Sequence, residues 1–242
     1  MFQSKFGKNP NQAYMTKLYI VVNFVNAFGY SFPRVIEHLI NTKKRGFAKK
    51  LVQKGILVEE KITRPVPTMP AKLIKLTELG KSLLSAQATT RKINPNNFLH
   101  DYKVQLYTVK LIKEYKKYYK TIAISRIQDI PILYKKDYDA IVYLDKKEII
   151  AVEVELNRKK EKTVHINIEK MIQDLINSKN IGKTMKIHIV GTPTAVNAYK
   201  SVIIEKGIYS KYIKDKTTGK YKKVKDIPII PALSKAFYFE YL

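Results

Sequence analysis

The chain has 242 residues and a mass of 28.1 kDa, enough for one large or two small domains that bury a proper core. Its 46 Lys and Arg against 20 Asp and Glu leave a formal charge of +26, with +13 on the residues up to position 95 and +13 beyond, so both parts are candidates to touch a polyanion. Cysteine is absent, which excludes disulfides, thiolate zinc sites and cysteine nucleophiles. The longest apolar stretch, Leu18 to Phe28, is broken by Asn23 and Asn26 and is too short to span a bilayer. The first residues run through Lys5, Lys8 and Asn11 without a signal-peptide pattern. A cytoplasmic protein whose partner is nucleic acid rather than a membrane is the expectation.

In chain order, Tyr14, Leu18, Val21, Val22 and Val25 recur at helical spacing and predict a first helix that stops near Gly29. Ser31 precedes FPRVIEHLI, a second helix with Pro33 in its first turn. Asn41 or Thr42 is placed to cap a third helix, KKRGFAKKLVQKG, ending at Gly55. A short strand and turn, ILVEEKITRPV, then leads to a second strand and to Thr77, which caps a closing helix. Three helices, two strands and a closing helix over residues 1–92 predict a winged helix-turn-helix. Its third helix presents Lys43, Lys44, Arg45, Lys49 and Lys50 to a major groove, with Lys61 and Arg64 of the wing near the backbone of double-stranded DNA.

INPNN (Ile93 to Asn97) reads as a linker, so a second domain is expected over 98–242. It opens with an amphipathic helix carrying His100 and Asp101 near its start. Strands TIAISRI, YDAIVYL and EIIAVEVEL follow, then a helix over 163–177, the strand KIHIVG and a helix over 193–206. Overall this is an α/β (α+β) chain whose second domain has a mixed sheet flanked by helices. The segment from Lys211 to Ile227 is densely basic, and Lys220, Lys222 and Lys223, with Tyr212 and Tyr221 interleaved, suit either a grip on the phosphate backbone near unpaired bases or a solvated hairpin around Thr217 to Gly219.

The densest chemistry lies between Asp139 and Lys159. Strand alternation puts Glu153 and Glu155 on one face with stems roughly 7 Å apart, while Val152, Val154 and Leu156 face the other way. The run Ile149 to Val152 is apolar on both faces, as a central strand would be, and charged residues there need a reason. Asp139, Glu153 and Glu155 are hard oxygen donors for Mg²⁺ or Mn²⁺, and Lys159 is a cation able to steady developing negative charge. Together they predict metal-assisted phosphodiester cleavage. The four histidines, His38, His100, His165 and His188, are scattered and form no His-x-His pair, against a histidine-cluster metal site.

Tyr138-Asp139 resembles the Pro-Asp element, and Glu153-Val154-Glu155 the (D/E)-x-K element, of the PD-(D/E)XK nuclease superfamily, with Glu in place of the final Lys and Lys159 as the displaced cation. Taken with an N-terminal winged helix, a linker, a helix opening with His100-Asp101 and the strand EVELNRK, the chain resembles the MOBC relaxases of mobilisable plasmids and the related replication-relaxation proteins. The resemblance implies a restriction-endonuclease-like fold and metal-dependent nicking of one strand at a plasmid transfer origin. It also implies contact with single-stranded DNA near the nick and with relaxosome or coupling proteins. Carried over by position, Asp139, Glu153, Glu155 and Lys159 form the active centre, with His100 a further candidate. Water and tyrosine both remain open as nucleophile, and a non-catalytic DNA-binding accessory or a double-strand-cutting endonuclease are the alternative functions.

Overall fold

Residues 10–41, 46–63, 68–84, 93–115, 123–125, 134–144 and 147–242 are described in the computed structural model, a mixed α/β chain that divides into two compact units, Met1–Lys120 and Thr121–Leu242. No helix among the described residues is long and apolar enough to cross a membrane.

In the first unit, α1 (Pro10–Phe28), α2 (Pro33–Leu39) and α3 (Phe47–Gln53) precede a hairpin of β1 (Leu57–Lys61) and β2 (Lys72–Leu76), and α4 (Glu78–Ser82) follows. Leu18, Val21, Val22 and Val25 of α1 are buried, as the helical spacing predicts, and Phe28, Ile36, Leu51 and Ile74 are buried too. Ser31 makes a two-way backbone bridge to Ile74 (2.9 and 2.8 Å), adding a third extended segment beside β2. Thr77 caps α4 as expected, its hydroxyl accepting from the Gly80 amide at 3.0 Å.

Two details differ from the sequence reading. The third helix begins at Phe47 rather than at Asn41 or Thr42, because Gly46 takes φ +126, outside helical space. Its first amides are satisfied from a distance by Glu37, whose carboxylate accepts from Gly46 N (3.1 Å) and Ala48 N (3.2 Å). Ser31, just before α2, donates its hydroxyl to Gln105 Oε1 at 2.7 Å. Finally, α5 (Phe98–Glu114), expected to open the second domain, belongs to the first unit. The buried Asp101 accepts from the Tyr30 hydroxyl, Gln105 Nε2 donates to the Tyr30 carbonyl (3.0 Å), and Phe32 packs edge-on against Tyr102. The dividing line therefore falls after Lys120 and not at residues 93–97.

The second unit is built on a mixed five-stranded sheet of order β3-β4-β5-β6-β9, comprising β3 (Ala123–Ser125), β4 (Ala140–Tyr143), β5 (Glu148–Glu155), β6 (Thr184–Gly191) and β9 (Phe237–Tyr241). The β3-β4 and β4-β5 pairs are antiparallel; β5-β6 and β6-β9 are parallel, and the crossover between β5 and β6 is α6 (Glu161–Asn180). Seven of the eight β5 residues are buried, which accounts for its unbroken apolar run. Ile149, Ala151, Ile187 and Ile189 share a core with Ile168, Met171 and Leu175 of α6 and with Tyr199 of α7 (Pro193–Lys200). A π-helical segment, Ser201–Lys206, continues α7. The antiparallel hairpin β7 (Ile208–Lys214) and β8 (Tyr221–Pro228) then packs β7 against α6, and a short helix, α8 (Pro231–Ser234), leads into β9.

Candidate active site

Antiparallel register pairs Ala140 with Val152, so Asp139, one residue before β4, stands opposite Glu153. Its amide donates to the Val152 carbonyl (3.0 Å), and its Oδ2 accepts from the Val154 amide (2.8 Å), which the end of β4 would otherwise leave without a ladder partner. The same end of the sheet is tight: a Cβ on Gly191, paired with Glu155 across β5-β6, would stand 1.9 Å from the Glu155 carbonyl oxygen. Only glycine lets these two backbones approach so closely.

Glu153 and Glu155 lie on the face of β5 that carries Ile149 and Ala151, and they are 3% and 4% exposed. Glu153 Oε2 accepts from Lys136 Nζ at 2.8 Å, and Lys159 Nζ lies 3.5 Å from its Oε1. Burial, then the negative charge of Asp139, pushes the Glu153 carboxyl up to about 7, with Lys136 pulling the other way. Glu155 Oε1 pairs with Lys159 Nζ at 2.6 Å and accepts from the Tyr199 hydroxyl at 2.7 Å; that hydroxyl in turn accepts from Asn167 Nδ2 at 2.8 Å. Burial alone would lower the pKa of Lys159, but its hydrogen bond to Glu155 and the charges of Glu153 and Glu155 outweigh it and raise it. Lys159 is thus a firmly charged bridge between the two glutamates.

With Glu153 ionised, three carboxylates and two ammonium groups leave one negative charge in excess at a largely buried spot, and protonation of Glu153 removes it. Among the described residues, no group of three or more His, Asp or Glu side chains is arranged as they stand to hold a metal ion, and lysine ammonium groups occupy the places where a cation would neutralise the glutamates. The donor set itself is all hard carboxylate oxygen, suited to Mg²⁺ or Mn²⁺ and not to zinc. The structure therefore brings together Asp139, Glu153, Glu155 and Lys159.

Four further residues complete the arrangement. Lys136 was readable as the basic residue three positions before Asp139, but only the fold aims it at Glu153. It is held there by Asp174 of α6, fully buried, whose carboxylate accepts from the amides of Lys135 (2.6 Å) and Lys136 (3.0 Å) and from the Tyr138 hydroxyl (3.2 Å). Tyr199 and Asn167 come from α7 and α6 and carried no sequence signal, because tyrosines and asparagines abound in this chain.

His100 lies on α5 in the first unit, with its Nδ1 3.5 Å from Asp101 Oδ1. Lys49 and Lys50 are exposed on α3 and Lys61 is exposed at the end of β1, whereas Lys43, Lys44, Arg45 and Arg64 fall outside the described residues. Lys220, Lys222 and Lys223 are exposed on or beside the β7-β8 hairpin, where Lys223 pairs with Asp226 (2.8 Å) and Lys222 lies 3.8 Å from Asp215. Tyr221 is exposed with Lys162 over its ring, while Tyr212 is half-buried against His165. The chain matches no protein-family model, no curated protein and no solved structure.

Proposed function

We propose that the chain is a metal-dependent DNA endonuclease of the PD-(D/E)XK type, carrying an N-terminal winged helix-turn-helix, that nicks one strand at a plasmid transfer origin in the manner of the MOBC relaxases it resembles. The observation that carries this reading is the convergence of Asp139, Glu153, Glu155 and Lys159 at one end of two central strands of a mixed sheet. A carboxyl raised by burial beside a second carboxylate, at the end of a sheet, is what a candidate working group shows. Asp139, Glu153 and Glu155 would hold Mg²⁺ or Mn²⁺, which when bound neutralises phosphate charge and acidifies a nucleophile. Asp139 is oriented by the Val154 amide and Glu155 by Tyr199, while Lys136 and Lys159 supply fixed positive charge for the reacting phosphate once the glutamates turn to other partners. Tyr138 and Tyr199 are buried and committed to Asp174 and Glu155, which favours water as the nucleophile among these candidates.

DNA contact through Lys49, Lys50 and Lys61 of the first unit and the Lys220, Lys222 and Lys223 hairpin of the second is part of the same proposal, as are partners at the origin. A second reading, a non-catalytic DNA-binding accessory, is favoured by one observation: Lys136 and Lys159 already neutralise Glu153 and Glu155. Incubating the protein with a supercoiled plasmid carrying its native flanking DNA separates the readings. Open circles that form with Mg²⁺ or Mn²⁺, vanish with chelator and are lost in Glu153→Ala support the nickase. Linear product points to a double-strand cutter, and binding without cleavage under any metal establishes the accessory.

A further inference from the structure

Beside the carboxylate cluster, an open cleft lies between the start of α6 and the end of α7, lined by Arg158, Lys159, Glu161, Ser201 and Lys206 over Val202. Lys159 belongs to both places, since it also bridges Glu153 and Glu155, so the cleft adjoins the candidate site directly. The backbone of the far wall is unusual. In an α-helix, residues 201 and 206 would point roughly 140° apart, but this segment is π-helical, and its i→i+5 geometry brings Lys206 round to the side of Ser201.

The charges in the cleft are not matched. Lys159 is consumed by the two glutamates, and Glu161 is directed toward His165 Nε2 at 3.7 Å. Arg158 and Lys206 are exposed and, among the described residues, neither has an acidic partner within ion-pair distance. Arg158 is also one of only six arginines in a chain that elsewhere meets its need for positive charge with lysine. A guanidinium fork, an ammonium group and a hydroxyl lining one cleft suit the oxygens of a phosphate, which an arginine engages in a bidentate manner.

We propose that this cleft is a phosphate subsite, in which Arg158, Lys206 and Ser201 hold a phosphate of the nucleic-acid strand next to the one that meets Glu153 and Glu155. The proposal rests on the nuclease reading and adds to it a second fixed point, which sets the direction in which the strand crosses the site. The phosphate comes either from the continuous backbone or from a strand terminus.

The test uses the full chain, with Arg158→Gln, Lys206→Gln, the double variant, and Lys179→Gln at the far end of α6 as a charge control. Binding to a 3′-labelled single-stranded oligonucleotide, with either a 5′-hydroxyl or a 5′-phosphate, is followed by fluorescence anisotropy in chelator over a salt series. Each single variant is expected to weaken binding by about fivefold or more and to reduce the log-log salt slope by about 0.7, the contribution of one phosphate on a single strand. The double variant should lose no further slope, because both side chains share one phosphate, and Lys179→Gln should change little. Equal losses on both oligonucleotides identify a backbone phosphate, and losses confined to the 5′-phosphorylated one identify a terminal phosphate. Variants that bind like the wild type, or losses that simply add in the double variant and match Lys179→Gln, overturn the subsite while leaving the nuclease reading standing. A wild-type protein that binds neither oligonucleotide also overturns the subsite, and the nuclease reading then stands or falls on the plasmid assay.

Discussion

Replacing Glu153 with Gln should shift stability in favour of the variant, relative to the wild type, as the pH rises from about 4.5 to 8. Glu153 is almost wholly buried and faces Asp139, and its carboxyl is raised from 4.5 to about 7 in the folded chain even with Lys136 beside it. Between those two pH values the folded state keeps a proton that the unfolded chain has released. The contribution of Glu153 to stability is therefore greatest below pH 4.5 and is lost as pH rises through about 7, where the penalty for the buried carboxylate is complete. At 1.36 kcal/mol per pH unit, the interval amounts to about 3 kcal/mol. Gln keeps the shape and does not titrate. Urea unfolding of both proteins should show the stability difference moving by about 3 kcal/mol in favour of the variant between about pH 4.5 and 8, as groups common to both largely cancel. Added Mn²⁺ should raise the stability of the wild type by mass action and leave Glu153→Gln little changed. A difference that stays flat across the pH series would refute the claim that Glu153 is held charged at a cost.

Three other substitutions probe the supports of the site. Tyr199→Phe strips the hydroxyl between Asn167 and Glu155 from a buried position and should cost about 1–3 kcal/mol in chemical denaturation, chiefly by leaving Asn167 without a partner. Asp174→Asn keeps the volume but presents an amide to the three donors converging there, the Lys135 and Lys136 amides and the Tyr138 hydroxyl. It should lower stability by about 2 kcal/mol and speed hydrogen exchange at the Lys135 and Lys136 amides, and unchanged exchange would show that Asp174 does not anchor that segment. Gly191→Ala drives a methyl group into the Glu155 carbonyl and should destabilise by about 3 kcal/mol or more, read from the urea midpoint; a neutral result would mean that β5 and β6 separate there without strain.

Much of the architecture was legible because it is written in local patterns. Helical spacing marked α1, Thr77 announced the cap of α4, and a run apolar on both faces identified β5 as a central strand. The same alternation put Glu153 and Glu155 on one face, since a strand has only two faces and the residues are two apart. Where prediction slipped, the deciding partner lay far along the chain. The helix expected to open the second domain, α5, joined the first unit through Asp101 and Tyr30, 71 residues apart. Gly46 delayed the start of α3 because its own backbone conformation left helical space.

The sequence by itself determined the charge, the absence of thiol chemistry, the order of elements and the residue types available for a carboxylate site. Only the tertiary structure decided which cation meets which carboxylate. Lys136 reaches Glu153 because Asp174 of a distant helix holds its segment, and Tyr199 reaches Glu155 across 44 positions because α7 packs against the end of the sheet. Burial, which turns Glu153 from an ordinary acid into one poised near neutrality, exists only when those elements close over it: the raised pKa belongs to the assembled surroundings and not to the residue.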